Sequence, residues 1–251
     1  MIKRTEAKTL LPDFLKFKMI WERIKLLRKA FITDFLKFHY SQFGEDIVLK
    51  ELLKKEKSDG FFVDVGCYHP KKYSNTYRLY RRGWRGINID LEEDKIRLFN
   101  MVRPHDYNTL CPVSDKREKV TLFRYDKYGL GSTINKDHAM KTSEELLDYK
   151  IIETKTLNEV INESPYCNRQ IDVLSIDTEG MDFRVLNSLD FNTYRPKVII
   201  IEDHHKRIED ILKSDIYILL KKHSYVLRSW TFYSLIFVLP GADILKDREN
   251  V

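Results

Sequence analysis

Glycine is scarce in this sequence, and none of its glycines forms the Gly-x-Gly-x-x-Gly turn of dinucleotide-binding proteins. Only 9 of the 251 residues are glycine, and the chain continues after Gly66 with Cys67, Tyr68, His69 and Pro70. Without that turn the backbone cannot approach the pyrophosphate of NAD or FAD. The absence therefore disfavours an NAD-dependent oxidoreductase and leaves open a ligand that carries no phosphate.

Cysteine and long apolar runs are scarce as well. Cys67, Cys111 and Cys167 are odd in number and lack metal-site spacing, which argues against a disulfide framework and suits a reduced compartment. No uncharged apolar run approaches the roughly 20 residues that cross a bilayer, and the start of the chain lacks a signal-peptide pattern. We therefore expect a soluble, cytoplasmic protein without a transmembrane segment.

Charge is abundant and unbalanced. The 44 Lys and Arg residues outnumber the 38 Asp and Glu residues, which gives a formal net charge of +6 and a pI near 9.0. Such a surplus favours an anionic partner: a nucleotide-linked substrate, an acidic glycan, a membrane surface or nucleic acid. Solvated lysines would explain the surplus equally well, so the charge alone selects none of these partners.

Residues 1–40 read as a basic, amphipathic helical extension of a main domain at residues 41–251. Apolar residues recur at helical spacing from Phe14 through Trp21 to Phe31, with lysines and arginines between them. We expect this helix to pack on the main domain or on a second subunit of a homo-oligomer. The alternative is a helix on a membrane surface, with its aromatic face among the lipid headgroups.

The most informative stretch runs from Phe61 to Asp90. Residues 61–66, FFVDVG, read as a buried parallel strand closed by a tight turn, and residues 86–90, GINID, read as a second strand that ends in an acid. Strand, glycine turn, helix, strand and acid form the nucleotide-binding half of a doubly wound sheet, where the acid accepts hydrogen bonds from a ribose. Taken alone, the segment could also be an ordinary core strand of another α/β protein.

Strands and helices alternate through the rest of the chain. Further strands are predicted at 108–113, 120–125, 171–177, 198–202, 225–227 and 234–239, helices at 94–101, 156–162, 185–189 and 208–222, and a polar loop that could cover a site at 129–142. The pattern predicts an α/β fold with a mainly parallel sheet and helices on both faces. Ligands bind such sheets at the carboxyl ends of the strands, where Asp64, Asp90, Asp177, Asp203 and His204 would meet.

With these residues placed, the chain resembles the FkbM family of S-adenosylmethionine-dependent O-methyltransferases. The matching segments are SQFGED at 41–46, FFVDVGCYHPKKYSNT at 61–76, GWRGINID at 83–90, CPVSD at 111–115, IDVLSIDTEGMDFRVLNSLDF at 171–191 and RPKVIIIED at 195–203. Each segment is a weak signal by itself, but the ordered set is specific. The resemblance implies a Rossmann-like class I methyltransferase fold with a seven-stranded sheet whose last strand is antiparallel.

The resemblance also implies a binding site for S-adenosylmethionine. The candidate cofactor residues are Gln42, Glu45, Asp64, Gly66, Cys67, Asn75, Asp90, Ser114, Asp115, Asp177 and Glu179. In this assignment residues 64–67 lie under the methionine part, Asp90 takes the ribose hydroxyls, and residues 114–115 approach the adenine. Asp177 and Glu179 are candidate partners of the methionine amine.

Methyl transfer to a hydroxyl needs a group that accepts the proton, and the strand ends offer candidates. His204 and Asp177 are the expected catalytic residues, with His205 as the alternative base. Because neighbouring parallel strands lie roughly 5 Å apart, Asp177, Asp203 and His204 could also share a divalent cation. A histidine ligand would shift the preference from Mg²⁺ toward Mn²⁺ or Fe²⁺. The alternative is a base that works without a metal.

The expected acceptor is a hydroxyl of a sugar, either nucleotide-activated or part of a surface-glycan precursor in polysaccharide biosynthesis. Tyr68, His69, Lys71, Lys72 and Tyr73 lie on the loop expected to face it, and two lysines there suit a diphosphate. A polyketide or other small natural product is the alternative acceptor. The alternative of another class is a non-catalytic or nucleic-acid-directed S-adenosylmethionine-binding protein, although base-flipping signatures are absent and we expect no nucleic-acid partner.

Overall fold

A seven-stranded sheet forms the centre of the protein. The computed structural model describes residues 13–31, 38–53, 59–125, 132–141 and 146–241. Its strands are β1 (Phe61–Val65), β2 (Arg85–Asp90), β3 (Tyr107–Leu110), β4 (Lys119–Arg124), β5 (Asp148–Glu153), β6 (Val173–Ile176), β7 (Val198–Glu202), β8 (Val226–Thr231) and β9 (Ser234–Val238). The main sheet has the order β3-β2-β1-β6-β7-β9-β8. Of the seven strands in this sheet, β9 alone runs opposite to the other six, which confirms the predicted mainly parallel arrangement.

The central strands are buried on both faces, which explains why they are almost wholly apolar. Phe61 and Val63 of β1 pack into the larger core on one face of the sheet, whereas Phe62 packs into a smaller core on the other. The same alternation holds along β7, where Ile199 and Ile200 belong to different cores. The same alternation decides on which face of the sheet each side chain near a strand end lies.

Helices connect the parallel strands, as the alternating pattern predicts. They are α1 (Asp13–Phe31), α2 (Glu45–Leu52), α3 (Tyr77–Arg81), α4 (Glu93–Val102), α5 (Lys136–Lys141), α6 (Leu157–Glu163), α7 (Asp182–Asn187), α8 (Ile208–Ile211) and α9 (Asp215–Lys222). The helix predicted at 208–222 is thus two helices. Ser214 separates them, because its hydroxyl accepts a hydrogen bond from the Tyr217 amide at 3.2 Å and caps α9.

A separate two-stranded antiparallel sheet, β4 paired with β5, was only half predicted. The strand expected at 120–125 corresponds to β4, but β5 was not predicted. Five of the six β5 residues are exposed, Tyr149 and Ile151 among them, so this strand does not contribute to the main core.

Helix α1 belongs to a unit of its own, residues 1–38, and residues 39–251 form the second unit. The apolar side chains of Phe17, Trp21 and Phe31 on this helix are exposed, and so are the basic side chains of Lys18 and Lys25. Within the described ranges, no helix is both long enough and apolar enough to cross a membrane.

The ends of β1 and β6 meet in an unusually close contact at Gly66. The Asp177 amide donates to the Val65 carbonyl at 3.0 Å, which continues the pairing of the two strands by one residue. Gly66 has φ +76°, and a Cβ atom there would lie 1.6 Å from the Asp177 carbonyl oxygen. Glycine is therefore required, both for the left-handed backbone and for the space.

Arg103 clamps the loop that follows β1. This side chain is completely buried, and its guanidinium donates to the Pro70 carbonyl at 2.8 and 2.6 Å, to Ser74 Oγ at 2.7 Å and to Thr76 Oγ1 at 2.8 Å. Thr76 Oγ1 in turn donates to Asp64 Oδ2 at 2.6 Å. Arg103 thus offsets the buried charge of Asp64 and holds residues 70–76 in one conformation.

We predict that Arg103→Met lowers the free energy of unfolding by about 3–5 kcal/mol, because it leaves the buried Asp64 without its compensating cation. Urea unfolding measures this loss. Arg97→Met is the matched control, since Arg97 lies on α4 in exposed ion pairs with Glu93 and Asp94. The control should cost less than about 1 kcal/mol, and equal losses in the two variants would contradict the clamp.

Candidate functional site

A cavity of about 210 Å³, the central cavity, lies at the carboxyl ends of β1, β2 and β6. It is lined by Gln42, Gly66, Tyr68, Tyr73, Asp90, Leu91, Lys95, Cys111, Val113, Ser132, Ile134, Asp177, Thr178, Glu179 and Met181. The lining combines three acids with a group of apolar side chains. This is the edge at which open parallel sheets bind their ligands.

Asp90 ends β2 and is held in place through both of its carboxylate oxygens. Oδ2 accepts from the Tyr68 amide at 3.0 Å and lies 3.4 Å from Lys95 Nζ, while Oδ1 accepts from the Glu92 amide at 3.0 Å. An ionised carboxylate offers about four acceptor positions, so this oriented group retains capacity to accept from the hydroxyls of a ligand.

Four more carboxylates crowd the ends of β6 and β7. Asp177 and Glu179 line the central cavity, and Asp182 and Glu202 line a neighbouring cavity. Burial, followed by the charge of Glu202, raises the pKa of Asp177 well above its usual range and that of Glu179 to about 7. The same two causes raise the pKa of Asp182 to about 6. Because these groups oppose one another's ionisation, a cation bound among them would be stabilised.

Residues 132–135 join two sides of the central cavity. Ser132 Oγ donates to Glu92 Oε1 at 2.7 Å, next to Asp90, while Thr133 Oγ1 donates to the Glu179 carbonyl at 3.2 Å. Ser132 and Ile134 line the cavity. The predicted polar loop at 129–142 therefore contributes to the site in its described part, which also includes α5; residues 129–131 and 142 lie outside the described residues.

The predicted cofactor residues divide into two groups. Gln42, Gly66, Asp90, Asp177 and Glu179 all line the central cavity. They come from four separate parts of the chain, and the sheet topology alone brings them together.

Three predicted cofactor residues near β1 lie outside this lining. Asp64 accepts from Thr76 as described above, and burial raises its pKa. The Cys67 side chain is buried in a small apolar cluster, and Asn75 Nδ2 donates to Ser175 Oγ at 3.2 Å. These side chains support the walls of the cavity.

Three others, Glu45, Ser114 and Asp115, also lie outside the lining. Glu45 accepts from the Phe43 amide at 2.9 Å and from Ser234 Oγ at 3.0 Å. Ser114 Oγ donates to Asp115 Oδ1 at 3.2 Å, and Asp115 forms an ion pair of 2.6 Å with Arg184. Near Ser114 and Asp115 the cavity is instead lined by the apolar side chains of Cys111 and Val113.

The loop expected to face the acceptor is divided in the same way. Tyr68 and Tyr73 line the central cavity, whereas His69, Lys71 and Lys72 do not. His69 Nδ1 accepts from the amides of Lys71 and Lys72, at 3.0 Å each, and so closes the turn between them. Lys72 Nζ lies 4.6 Å from the centre of the Tyr73 ring.

The two histidines after β7 have different acidic partners. His204 Nε2 lies 3.4 Å from Glu202 Oε2, and the nearby Glu202 carboxylate is the largest cause that raises the pKa of His204. His205 Nδ1 lies 2.5 Å from Asp203 Oδ1, which also accepts from the His205 amide at 2.9 Å. Asp203 therefore orients His205. Glu202 is the acid that interacts with both Asp177 and His204.

The expected metal ligands do not form one group. Asp177 interacts with Glu202, whereas Asp203 is turned toward His205 and His204 toward Glu202. Across the part of the chain that the structure describes, no three His, Cys, Asp or Glu side chains are grouped so that they could hold a metal ion. The expectation rested on the roughly 5 Å spacing of neighbouring parallel strands, but spacing alone does not set the side-chain directions, and the three side chains turn to different partners.

Several lining residues were not predicted. Lys95 is on α4, one helical turn from the strand end, and Met181 lies on the turn before α7. Leu91 directly follows the acid of β2, and this position is a signal that sequence analysis could have used. Ser132 belongs to the predicted polar loop at 129–142, whereas Lys95 carries no comparable signal, because only the tertiary structure brings it to the cavity.

The chemistry of the lining fits S-adenosylmethionine, the cofactor that the resemblance implies. The cofactor has a cationic sulfonium and ammonium group, a ribose diol and a flat adenine. The central cavity has two crowded acids at the end of β6, the oriented carboxylate of Asp90, and apolar side chains at Leu91, Val113 and Ile134. Each part of the cofactor thus has a chemically matched group in the lining.

Three solved structures of methyltransferases are similar to this chain at low sequence identity. A TehB-like SAM-dependent methyltransferase from Corynebacterium glutamicum has 12% identity and a TM-score of 0.38, over 90% of this chain and 98% of that one. An O-methyltransferase from Bacillus cereus in complex with SAH has 11% identity and a TM-score of 0.43, over 93% and 94%. A precorrin-6y C5,15-methyltransferase from Geobacter metallireducens has 9% identity and a TM-score of 0.40, over 82% and 94%.

Sequence comparison gives the family. No curated protein matches the chain. The family model for the methyltransferase FkbM domain matches residues 64–227, roughly two thirds of the sequence. The strand order with its antiparallel β9 is that of the Rossmann-like class I methyltransferase fold. The chain belongs to the FkbM family of methyltransferases, whose methyl donor is S-adenosylmethionine.

Proposed function

We propose that this methyltransferase transfers the methyl group to a hydroxyl of a sugar, either a nucleotide-activated sugar or a precursor of a surface glycan. The observation that carries the proposal is the position of the His204–Glu202 pair, which adjoins Asp177 of the central cavity. A base next to a methyl donor is what an unreactive hydroxyl requires.

In this proposal the cofactor occupies the central cavity. Asp177 and Glu179 hold its cationic methionine part, Asp90 accepts from the ribose hydroxyls, and Leu91, Val113 and Ile134 pack against the adenine. Gln42 is placed to contact the cofactor from the segment before α2. Asp177 and Glu179 oppose each other's ionisation, so the positive charge of the cofactor would stabilise their ionised forms.

The reaction is a single displacement. The acceptor oxygen bonds to the methyl carbon as the carbon–sulfur bond breaks, and the electron pair of that bond stays on sulfur. The hydroxyl proton passes to His204, and the products are a methyl ether and S-adenosylhomocysteine. Alignment of oxygen, carbon and sulfur can contribute about 7–11 kcal/mol, and a positioned base contributes about 10²–10⁴-fold.

The basic loop supports a phosphate-bearing acceptor. Lys71 and Lys72 are exposed beside Tyr73, which lines the central cavity. Lys72 Nζ lies 4.6 Å from the centre of that Tyr73 ring. A diphosphate at the two lysines would leave its sugar directed toward the cavity. The net charge of +6 favours the same class of ligand.

A panel of GDP-, UDP- and dTDP-sugars tests the acceptor class. The protein is incubated with S-adenosylmethionine and each sugar, with and without a chelator, and the release of S-adenosylhomocysteine is measured. We expect transfer to at least one nucleotide sugar. A protein that binds S-adenosylmethionine but methylates no sugar would contradict the proposal. Loss of activity with chelator would support the expectation that the reaction needs a divalent cation.

We predict that His204→Ala lowers kcat by about 10²–10⁴-fold, since it removes the proton acceptor, and leaves the Kd of S-adenosylmethionine unchanged. The wild-type rate should rise with pH through a pKa above 6.5, because Glu202 raises the pKa of His204 and only the neutral imidazole accepts a proton. His105→Ala, an exposed histidine before β3, is the control. Equal kcat values in the two variants would remove His204 from the mechanism.

We predict that binding of S-adenosylmethionine tightens as the pH rises from 6 to 8. Glu179 has a pKa of about 7, so below pH 7 it is protonated and must lose a proton to bind a cation, at a cost of up to roughly tenfold in affinity per pH unit. Calorimetric titrations of wild type, Glu179→Gln and the exposed control Glu163→Gln check this. The dependence should weaken only in Glu179→Gln, and the same dependence in all three would assign it to another group.

A further inference from the structure

The hairpin that joins β8 to β9 has a bulky residue in a backbone conformation that favours glycine. Thr231 pairs with Ser234, so Phe232 and Tyr233 form a two-residue loop. Phe232 has φ +52°. Two-residue hairpin loops with positive φ at the first central position usually have glycine there, and a bulky residue is an outlier that costs free energy.

Packing in the fold does not explain why phenylalanine stands there. The Phe232 side chain is 69% exposed. Its ring stacks on that of Phe43, with 4.5 Å between the ring centroids and 21° between the planes. The Tyr233 side chain is 44% exposed, and its ring centroid lies 5.9 Å from that of Phe43. We call Phe43, Phe232 and Tyr233 the aromatic platform. Phe43 is half-buried, so the two exposed rings rest on it, and a contiguous apolar patch of this kind is typical of a binding surface.

The aromatic platform is fixed to the catalytic edge of the sheet. Ser234 pairs with Glu202 at the end of β7, and the Asp203 amide donates to the Tyr233 carbonyl at 2.6 Å. Ser234 Oγ also donates to Glu45 on α2 at 3.0 Å. The Trp230 indole donates to the Phe232 carbonyl at 2.5 Å. These contacts hold the loop before any ligand arrives, which reduces the entropy lost on binding.

The platform also adjoins both parts of the proposed reaction. The Tyr233 ring lies 5.3 Å from the His204 imidazole, edge to face. Phe43 directly follows Gln42, which lines the central cavity. A ligand on these rings would therefore lie between the proposed base and the mouth of the cofactor cavity.

We infer that the aromatic platform binds one C–H face of the acceptor's pyranose ring, an inference that rests on the proposed function. A pyranose has flat patches of C–H groups and a rim of hydroxyls. Stacking of the C–H patch on Phe232 and Tyr233 leaves the hydroxyls at the edge of the ring, one of them facing His204. The platform thus selects which hydroxyl is methylated by fixing the tilt of the sugar.

Phe232→Gly tests this inference without endangering the fold, because glycine adopts φ +52° without strain. The acceptor is the nucleotide sugar with the highest rate in the panel described above. We expect the KM of that sugar to rise about tenfold, the loss of one aromatic contact, with the KM of S-adenosylmethionine unchanged and the melting temperature equal or higher. Phe232→Trp, which keeps a ring, should retain an acceptor KM close to that of the wild type.

Tyr149→Ala is the matched control, since Tyr149 is also 69% exposed but lies on β5 in the separate sheet. An unchanged acceptor KM in Phe232→Gly, or an equal rise in Tyr149→Ala, would overturn the platform while the proposed function stands. If no sugar of the panel accepts a methyl group, the proposed function fails and the assignment of the platform to a sugar fails with it.

Discussion

The site depends on how closely the backbones of β1 and β6 approach each other where they end. At Gly66 the carbonyl of Asp177 occupies the space that any side chain would need. This contact places the turn after β1 against the turn after β6, so that Gly66 and Asp177 line one cavity. A larger residue would separate the two turns, and Gly66 and Asp177 would no longer line one cavity.

The buried carboxylates of this protein have two kinds of surroundings. Around Asp64 the charge is compensated within the fold, since Arg103 reaches it through Thr76 and at the same time fixes the following loop. Around Asp177, Glu179 and Glu202, burial and then the charge of Glu202 raise the pKa values of Asp177 and Glu179. The first arrangement stabilises the structure, whereas in the second the ionised carboxylates are unfavourable unless a cation lies beside them. Stability and ligand binding are therefore assigned to adjacent but separate groups of side chains.

The antiparallel strand β9 gives the site its outer rim. Because β9 runs against β7, its first residue lies beside the last residue of β7, and the hairpin before it projects past the end of the sheet. A parallel strand in the same place would have begun at the opposite edge. The direction of one strand thus explains why Tyr233 lies next to His204, and Phe232 next to Phe43 far away in the sequence.

The sequence by itself determined the sheet, the family and the acids at the strand ends, because alternating buried strands and helices leave few topologies and place Asp90 and Asp177 at one edge. It could not decide which way each side chain points. Asp64, Ser114 and Asp203 are as acidic or polar in the sequence as the residues that line the cavity, yet they contact Thr76, Asp115 and His205 instead. Only the tertiary structure decided that, along with the burial of Arg103 and the stacking of Phe43 on Phe232, because these contacts join residues that no local pattern connects.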